Sequence, residues 1–164
     1  MNIKDYNIRD TMEGLDEKVE IIYKNQSLLF EYSGIARDYG KGFLMTEVEA
    51  HTLGYISKQE GLTATQLSAI TLRTKGAVSM LLNKLEQKGL IERRNKGSDK
   101  KQRKIYLTAK GKQAVSIHRA YDREKMLIML NALLQECTMD EVDHFFKVLD
   151  CRNRILKKSY KKTV

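Results

Sequence analysis

Apolar residues return every three or four positions along most of this chain, and Thr, Gly and Lys punctuate the gaps between the runs. From Thr74 onward they fall at Val78, Leu81, Leu82 and Leu85, the i, i+3, i+4, i+7 spacing that turns one helix face toward a core. The opposite face carries Lys75, Gly76, Ser79, Met80 and Asn83, with no acid until Glu86. Thr74 is a good N-cap, and Gly89 after Lys88 is a stop signal. Just upstream, Thr63-Ala64-Thr65-Gln66 fits a capping box, in which the Thr hydroxyl accepts from the backbone N–H three residues on and the Gln returns the bond. The helix it starts turns Leu67 and Ile70 inward and breaks at Leu72-Arg73. Beyond Gly89, Leu90-Ile91 and Ile105 with Leu107 are β-type runs bracketing a polar loop from Asn95 to Gln102. The pattern predicts two short helices joined by a tight turn, then a two-stranded ribbon.

Longer helical stripes flank this centre. A first helix, about Thr11 to Tyr39, sets Leu15, Ile22, Leu29 and Ala36 at seven-residue intervals with Val19 and Tyr32 alongside; so long a seam asks for another long helix or a second chain. A capping box at Thr46-Glu47-Val48-Glu49 starts a helix with Val48, Thr52, Tyr55 and Ile56 inward. Another at Thr138-Met139-Asp140-Glu141 starts the last helix, with Val142, Phe145, Phe146 and Leu149 inward. Between Leu107 and Cys137 the chain reads as one helix through Val115, Tyr121, Met129 and Leu133, and no proline interrupts it. The expected fold is mostly α with a minor β part. A winged helix-turn-helix module spans 41–111, and residues 1–40 with 112–164 form a helical dimerisation region. A closed bundle within one chain is the alternative use of the same stripes.

Charge says what the centre faces. Between Arg73 and Lys112 thirteen Lys or Arg stand against three acids, a net of +10 in a 164-residue chain whose total is +9. Cations clustered behind a helix-turn-helix gain affinity for duplex DNA by releasing its counterions; a merely solvated surface is the bland reading of the loop alone. Catalysis has little to work with. P-loop, G-x-S-x-G and H-E-x-x-H patterns are all missing, so an enzyme is not expected. The longest apolar run, Met126 to Leu130, is far too short for a membrane span. The charged start Met1-Asn2-Ile3-Lys4-Asp5 does not fit a signal peptide. Cys137 and Cys151 form no C-x-x-C pair and read as reduced thiols. A cytoplasmic protein is expected.

The run Leu85-Glu86-Gln87-Lys88-Gly89-Leu90-Ile91-Glu92-Arg93, then Asp99-Lys100-Lys101, then Leu107-Thr108 and Gly111, resembles the MarR family of bacterial transcription regulators over roughly residues 12 to 156. The family's wing-tip Arg falls on Lys101 here, with Arg103 two residues further on. The resemblance implies a homodimer, interlocked through the first and last two helices, that binds palindromic double-stranded DNA as a repressor and answers to an effector. Candidate DNA-binding residues are Thr65, Arg73, Thr74, Lys75, Gly76, Ser79, Met80, Asn83 and Lys84 on the two short helices, and Lys100, Lys101 and Arg103 on the wing. Asn83 suits a bidentate bond to adenine. A dimeric scaffold without sequence-specific binding is the competing reading, but it has no reason to keep the Thr74 to Lys88 helix face free of acids.

One further constellation bears on effectors. His118 and Asp122 are four apart on one helix face, and with His51 they make a donor set that zinc would accept. Zinc-responsive members of the family place a His in this part of the second helix and a His-x-x-x-His in the fifth, where the second ligand here is Asp122. The same histidine positions also resemble regulators answering to acyl chains, and a plain polar contact at a helix junction is a third reading. No obligatory cofactor is expected; the effector classes left open are a small molecule, an acyl chain and a metal.

Overall fold

The computed structural model describes residues 14–96 and 99–163, without the side chains of 96, 99–102 and 160–163. In chain order the elements are α1 (Leu15–Gly34), β1 (Arg37–Asp38), β2 (Leu44–Met45), α2 (Glu47–Lys58), β3 (Leu62–Thr63), α3 (Ala64–Thr71), α4 (Lys75–Gln87), β4 (Ile91–Lys96), β5 (Asp99–Leu107), α5 (Ala109–Leu133) and α6 (Met139–Thr163). The expected mostly helical winged fold is what forms. Two compact units divide inside α5, the first ending at His118 and the second beginning at Arg119.

The first unit is organised by its caps. Thr46 and Thr63 both close complete capping boxes, with Glu49 and Gln66 respectively, and the Thr74 hydroxyl accepts from the Ala77 N–H at 3.2 Å. Leu72 ends α3 in a left-handed conformation, φ 55, so three residues suffice to redirect the chain into α4. The core is built from Leu53, Ile56, Leu62, Leu67, Val78, Leu82, Leu85, Leu90, Ile91 and Ile105, all essentially removed from solvent; burial of this kind supplies most of the stabilisation.

The wing is a three-stranded antiparallel sheet in the order β3-β5-β4, because Leu62 and Thr63 pair with Ile105 and Lys104 on the far side of β5. The expected ribbon of two strands is thus widened by one. The strands are also longer than expected, since pairing runs from Ile91↔Leu107 out to Lys96↔Asp99, with an irregularity at Asn95/Lys96. Backbone pairing holds a polar stretch that the residue types alone read as loop.

Thr108 locks the wing to the next helix. Its hydroxyl donates to the Gly89 carbonyl at 2.7 Å and accepts from the Gly111 N–H at 3.0 Å, while its own N–H donates to the Leu90 carbonyl at 3.1 Å. A Cβ on Gly111 would stand 1.9 Å from that Leu90 oxygen. The Leu-Thr-x-x-Gly pattern therefore has a steric reason: only glycine lets α5 start so close to the turn after α4.

Several expectations shift. The first helix ends at Gly34 rather than Tyr39, and its expected start at Thr11 lies outside the described residues. Ile35 is extended, and the Arg37 guanidinium sits 3.6 Å over the Tyr32 ring. The chain then makes a β1–β2 hairpin around Gly40, Lys41 and Gly42, all at positive φ. In α2 the buried face is Glu49, Ala50, Thr52, Leu53 and Ile56; Tyr55, expected inward, is exposed. Ile70 is exposed as well, and Leu81 and Val48 are only half-buried. In the second unit Thr138 and Glu141 form the expected capping box. Val142 is buried, yet Phe145 and Phe146 stand exposed together with Val148, Ile155 and Leu156.

Candidate nucleic-acid interface

The buried stripe Val78, Leu82, Leu85 fixes which way α4 faces, and geometry then dictates the rest: Lys75, Ser79 and Asn83, four apart, share the outward side. All three are exposed, as are Gly76 and, conspicuously for an apolar residue, Met80 at 76%. Thr65 near the start of α3, and Arg73 and Thr74 in the turn, are exposed beside them. Nine of the sequence-selected residues are thus placed at the surface of one helix-turn-helix. A Cβ on Gly76 would meet nothing within 4 Å, so that glycine answers to no packing demand within the chain.

On the wing, Arg103 is exposed and opposite Asn95, while Lys104 is opposite Arg94. Arg94 and Lys104 are therefore a facing pair of cations on β4 and β5, a repulsive arrangement. Arg94 is held over the Tyr106 ring at 5.5 Å and paired with Glu92. Lys100 and Lys101 lie in β5; their side chains are outside those described.

Two acids, Glu86 on α4 and Glu49 packed against Lys84 and Lys88, are each paired with cations. Glu86 accepts from Arg93 through Nε at 3.0 Å and through Nη2 as well, and that guanidinium holds its carboxyl below the usual carboxylate range. Arg93 Nη2 also donates to Asn83 Oδ1 at 2.8 Å. Glu49, 1% exposed, receives Lys88 Nζ at 2.9 Å and Lys84 Nζ at 3.2 Å. Burial by itself would push its pKa up, but the Lys88, Thr46 and Lys84 hydrogen bonds outweigh that and hold it below the ordinary value. Lys84 is thereby turned to a structural partner. Glu49 and Arg93 are the functional neighbours that residue patterns alone passed over; Glu49 had a visible signal as the last member of a capping box, but its partners lie 35 and 39 residues away.

His51 and His118 do come together, ring centroids 5.0 Å apart and edge to face, with Tyr39 against His118 at 4.7 Å. His118 is buried; His51 is exposed and lies 3.7 Å from Glu47. Asp122, one turn further along α5, belongs to the second unit.

Among the described residues no helix is long and apolar enough to cross a membrane. A family model described as MarR family matches residues 45–102. The crystal structure of Streptococcus pneumoniae FabT in complex with DNA is 28% identical with a TM-score of 0.62, the match covering 88% of this chain and 96% of that one. The S. aureus MepR–DNA complex is 28% identical with a TM-score of 0.66, covering 82% and 96%. A MarR family transcription regulator, SP03579, shares the fold at TM-score 0.72 and 22% identity, covering 89% and 94%. No curated protein sequence matches significantly. The helix-turn-helix and its wing agree with these similarities, and the chain belongs to the MarR family of winged helix-turn-helix transcription regulators, transcription factors rather than enzymes.

Proposed function

We propose that this chain is a repressor that binds palindromic operator DNA as a homodimer, with α4 in the major groove, the β4–β5 wing on the flanking backbone, and an effector setting its affinity. The observation that carries the reading is the outward face of α4: an exposed row of Lys75, Gly76, Ser79, Met80 and Asn83, with the first acid, Glu86, already neutralised by Arg93. Two relatives of similar length are solved on DNA. Dimerisation follows from the exposed apolar face of α1, which carries Leu15, Val19, Ile22 and Leu29 and buries none of them. One helix-turn-helix reads few base pairs; two related by a dyad read half-sites about one helical turn apart.

The test is a randomised-site selection followed by anisotropy titrations over a range of salt. An enriched inverted repeat is expected, with log affinity falling steeply against log salt. Lys101→Ala with Arg103→Ala should weaken specific and random duplex alike and flatten that slope by about 1 to 2 units. Ser79→Ala should instead lower discrimination by about 1–3 kcal/mol with non-specific binding nearly unchanged. Affinity and slope both unchanged in the wing double variant would favour a scaffold. A thermal-shift survey of metals and acyl ligands identifies the effector class.

A further inference from the structure

Asn83 is not a free amide. Its Oδ1 receives Arg93 Nη2 at 2.8 Å, and the same guanidinium is anchored on Glu86, one turn further along α4, through Nε at 3.0 Å and through Nη2. A guanidinium carries only donors, so the amide atom facing it has to be the oxygen; chemistry, not the placement of similar atoms, orients the group. The end left free to meet a base is the NH2. Asn83 is exposed, whereas the Arg93 side chain is only 19% exposed and Glu86 38%, which puts the reader at the surface and its holder behind it. Because charged hydrogen bonds are about twice as strong as neutral ones, rotating the amide would break the stronger contact for a weaker one.

We propose that Arg93 is a positioning residue for base recognition: fixed by Glu86, it turns the Asn83 oxygen toward the wing and presents the amide NH2 to the groove, so that Asn83 reads an acceptor edge, guanine first, rather than adenine. Adenine readout needs the amide to accept from N6 while donating to N7, whereas guanine offers the two acceptors N7 and O6. Oδ1 keeps a second lone pair, but it lies beside a full positive charge. That field repels the partly positive adenine N6–H and attracts the acceptors of guanine. The inference rests on the reading that this face of α4 enters the major groove. It also changes what the residue type alone suggests for Asn83.

The experiment compares selected sites and measured affinities for the wild type, Asn83→Ala and Arg93→Met. Loss of discrimination in Asn83→Ala, about tenfold for one base contact, marks the base pair that Asn83 reads. Guanine is expected there in the wild type. Arg93→Met should admit adenine at that position alone and leave every other position as it was, a readout that a merely structural role would not move. Should Arg93→Met fail to fold, 7-deazaguanine at the marked position decides. Removing N7 should weaken the wild type and leave Asn83→Ala unaffected. Adenine at the marked position, an unchanged preference in folded Arg93→Met, or equal sensitivity of both proteins to 7-deazaguanine overturns the proposal while leaving DNA binding intact. A wild type that enriches no sequence overturns the groove reading itself, and this inference with it.

Discussion

Two helical glycines set opposing rules against each other. In an ordinary helix position, Gly to Ala stabilises by up to about 1 kcal/mol. Gly54, inside α2, has nothing within 4 Å of where a Cβ would go, so Gly54→Ala should show that gain. Gly111 sits in the first turn of α5 with the Leu90 carbonyl oxygen 1.9 Å from the same point, and Leu107 Cδ2 at 3.3 Å. Carbon and oxygen rest at about 3.3–3.6 Å even in close C–H···O contacts, so α5 and the turn after α4 have to separate by more than about 1 Å. That movement strains an over-filled site, at about 1–3 kcal/mol. It also weakens the Thr108 bonds to Gly89 and Leu90, at about 1 kcal/mol each. Offset by the helix gain of about 1 kcal/mol, the net loss is about 2–4 kcal/mol. For a chain of this size each kcal/mol moves Tm by about 2–4 °C, so Gly111→Ala should melt roughly 4–16 °C lower and Gly54→Ala a few degrees higher. Differential scanning calorimetry of the two variants and wild type decides. A Gly111→Ala protein as stable as wild type would refute a steric requirement for glycine in the Leu-Thr-x-x-Gly pattern.

Acid should destabilise the protein through carboxylates that are held ionised. Glu49 and Glu86 have folded pKa values below their ordinary 4.5, so their contribution is fully present above about pH 4.5 and lost as pH falls through the folded values. Glu49→Gln should lower the urea midpoint at pH 7 yet shrink its drop between pH 5 and pH 3; an undiminished drop assigns the acid limb elsewhere. Leu29→Arg on the exposed α1 seam should convert a wild type of twice the chain mass in light scattering into a monomer, and a monomeric wild type would remove the dimer and the palindrome together. Zinc separates a packing role of the His51–His118 pair from a ligating one. Edge-to-face rings need no ion, so saturating zinc is expected to leave Tm unchanged, whereas binding at 100 times Kd would stabilise the fold by about 2.7 kcal/mol.

What residue order could and could not disclose follows from how far apart the interacting groups lie. All three capping boxes, at Thr46, Thr63 and Thr138, were legible, because each is a bond between residues three apart. The outward face of α4 was legible for a related reason: Val78, Leu82 and Leu85 fix the helix rotation locally. The β1–β2 hairpin was not. Ala36 continued the seven-residue repeat, so the helix read through to Tyr39, while the break depends on three successive positive-φ residues and on Arg37 folding back over Tyr32. β3 was too short to carry an alternation and exists only because β5 offers an unpaired edge.

The face of α2 was misjudged because apolar periodicity counts a glutamate as outward. Glu49 is buried nonetheless, since Lys84 of α4 and Lys88 at its C-terminal cap pair with it, and an acid so deep would not stay ionised without them. The same distance effect separates a list of DNA-facing residues from a mechanism of reading. Lys84 reads from its type as a phosphate contact, and its ammonium also lies 3.2 Å from Glu49. Asn83 reads from its type as a partner for adenine, and Arg93 lies on its oxygen. In both cases the partner lies on another element, one that residue type and spacing along the helix leave out. The direction each side chain can serve is set there, so on the proposed reading base preference in this chain depends as much on Arg93 of β4 as on the outward face of α4.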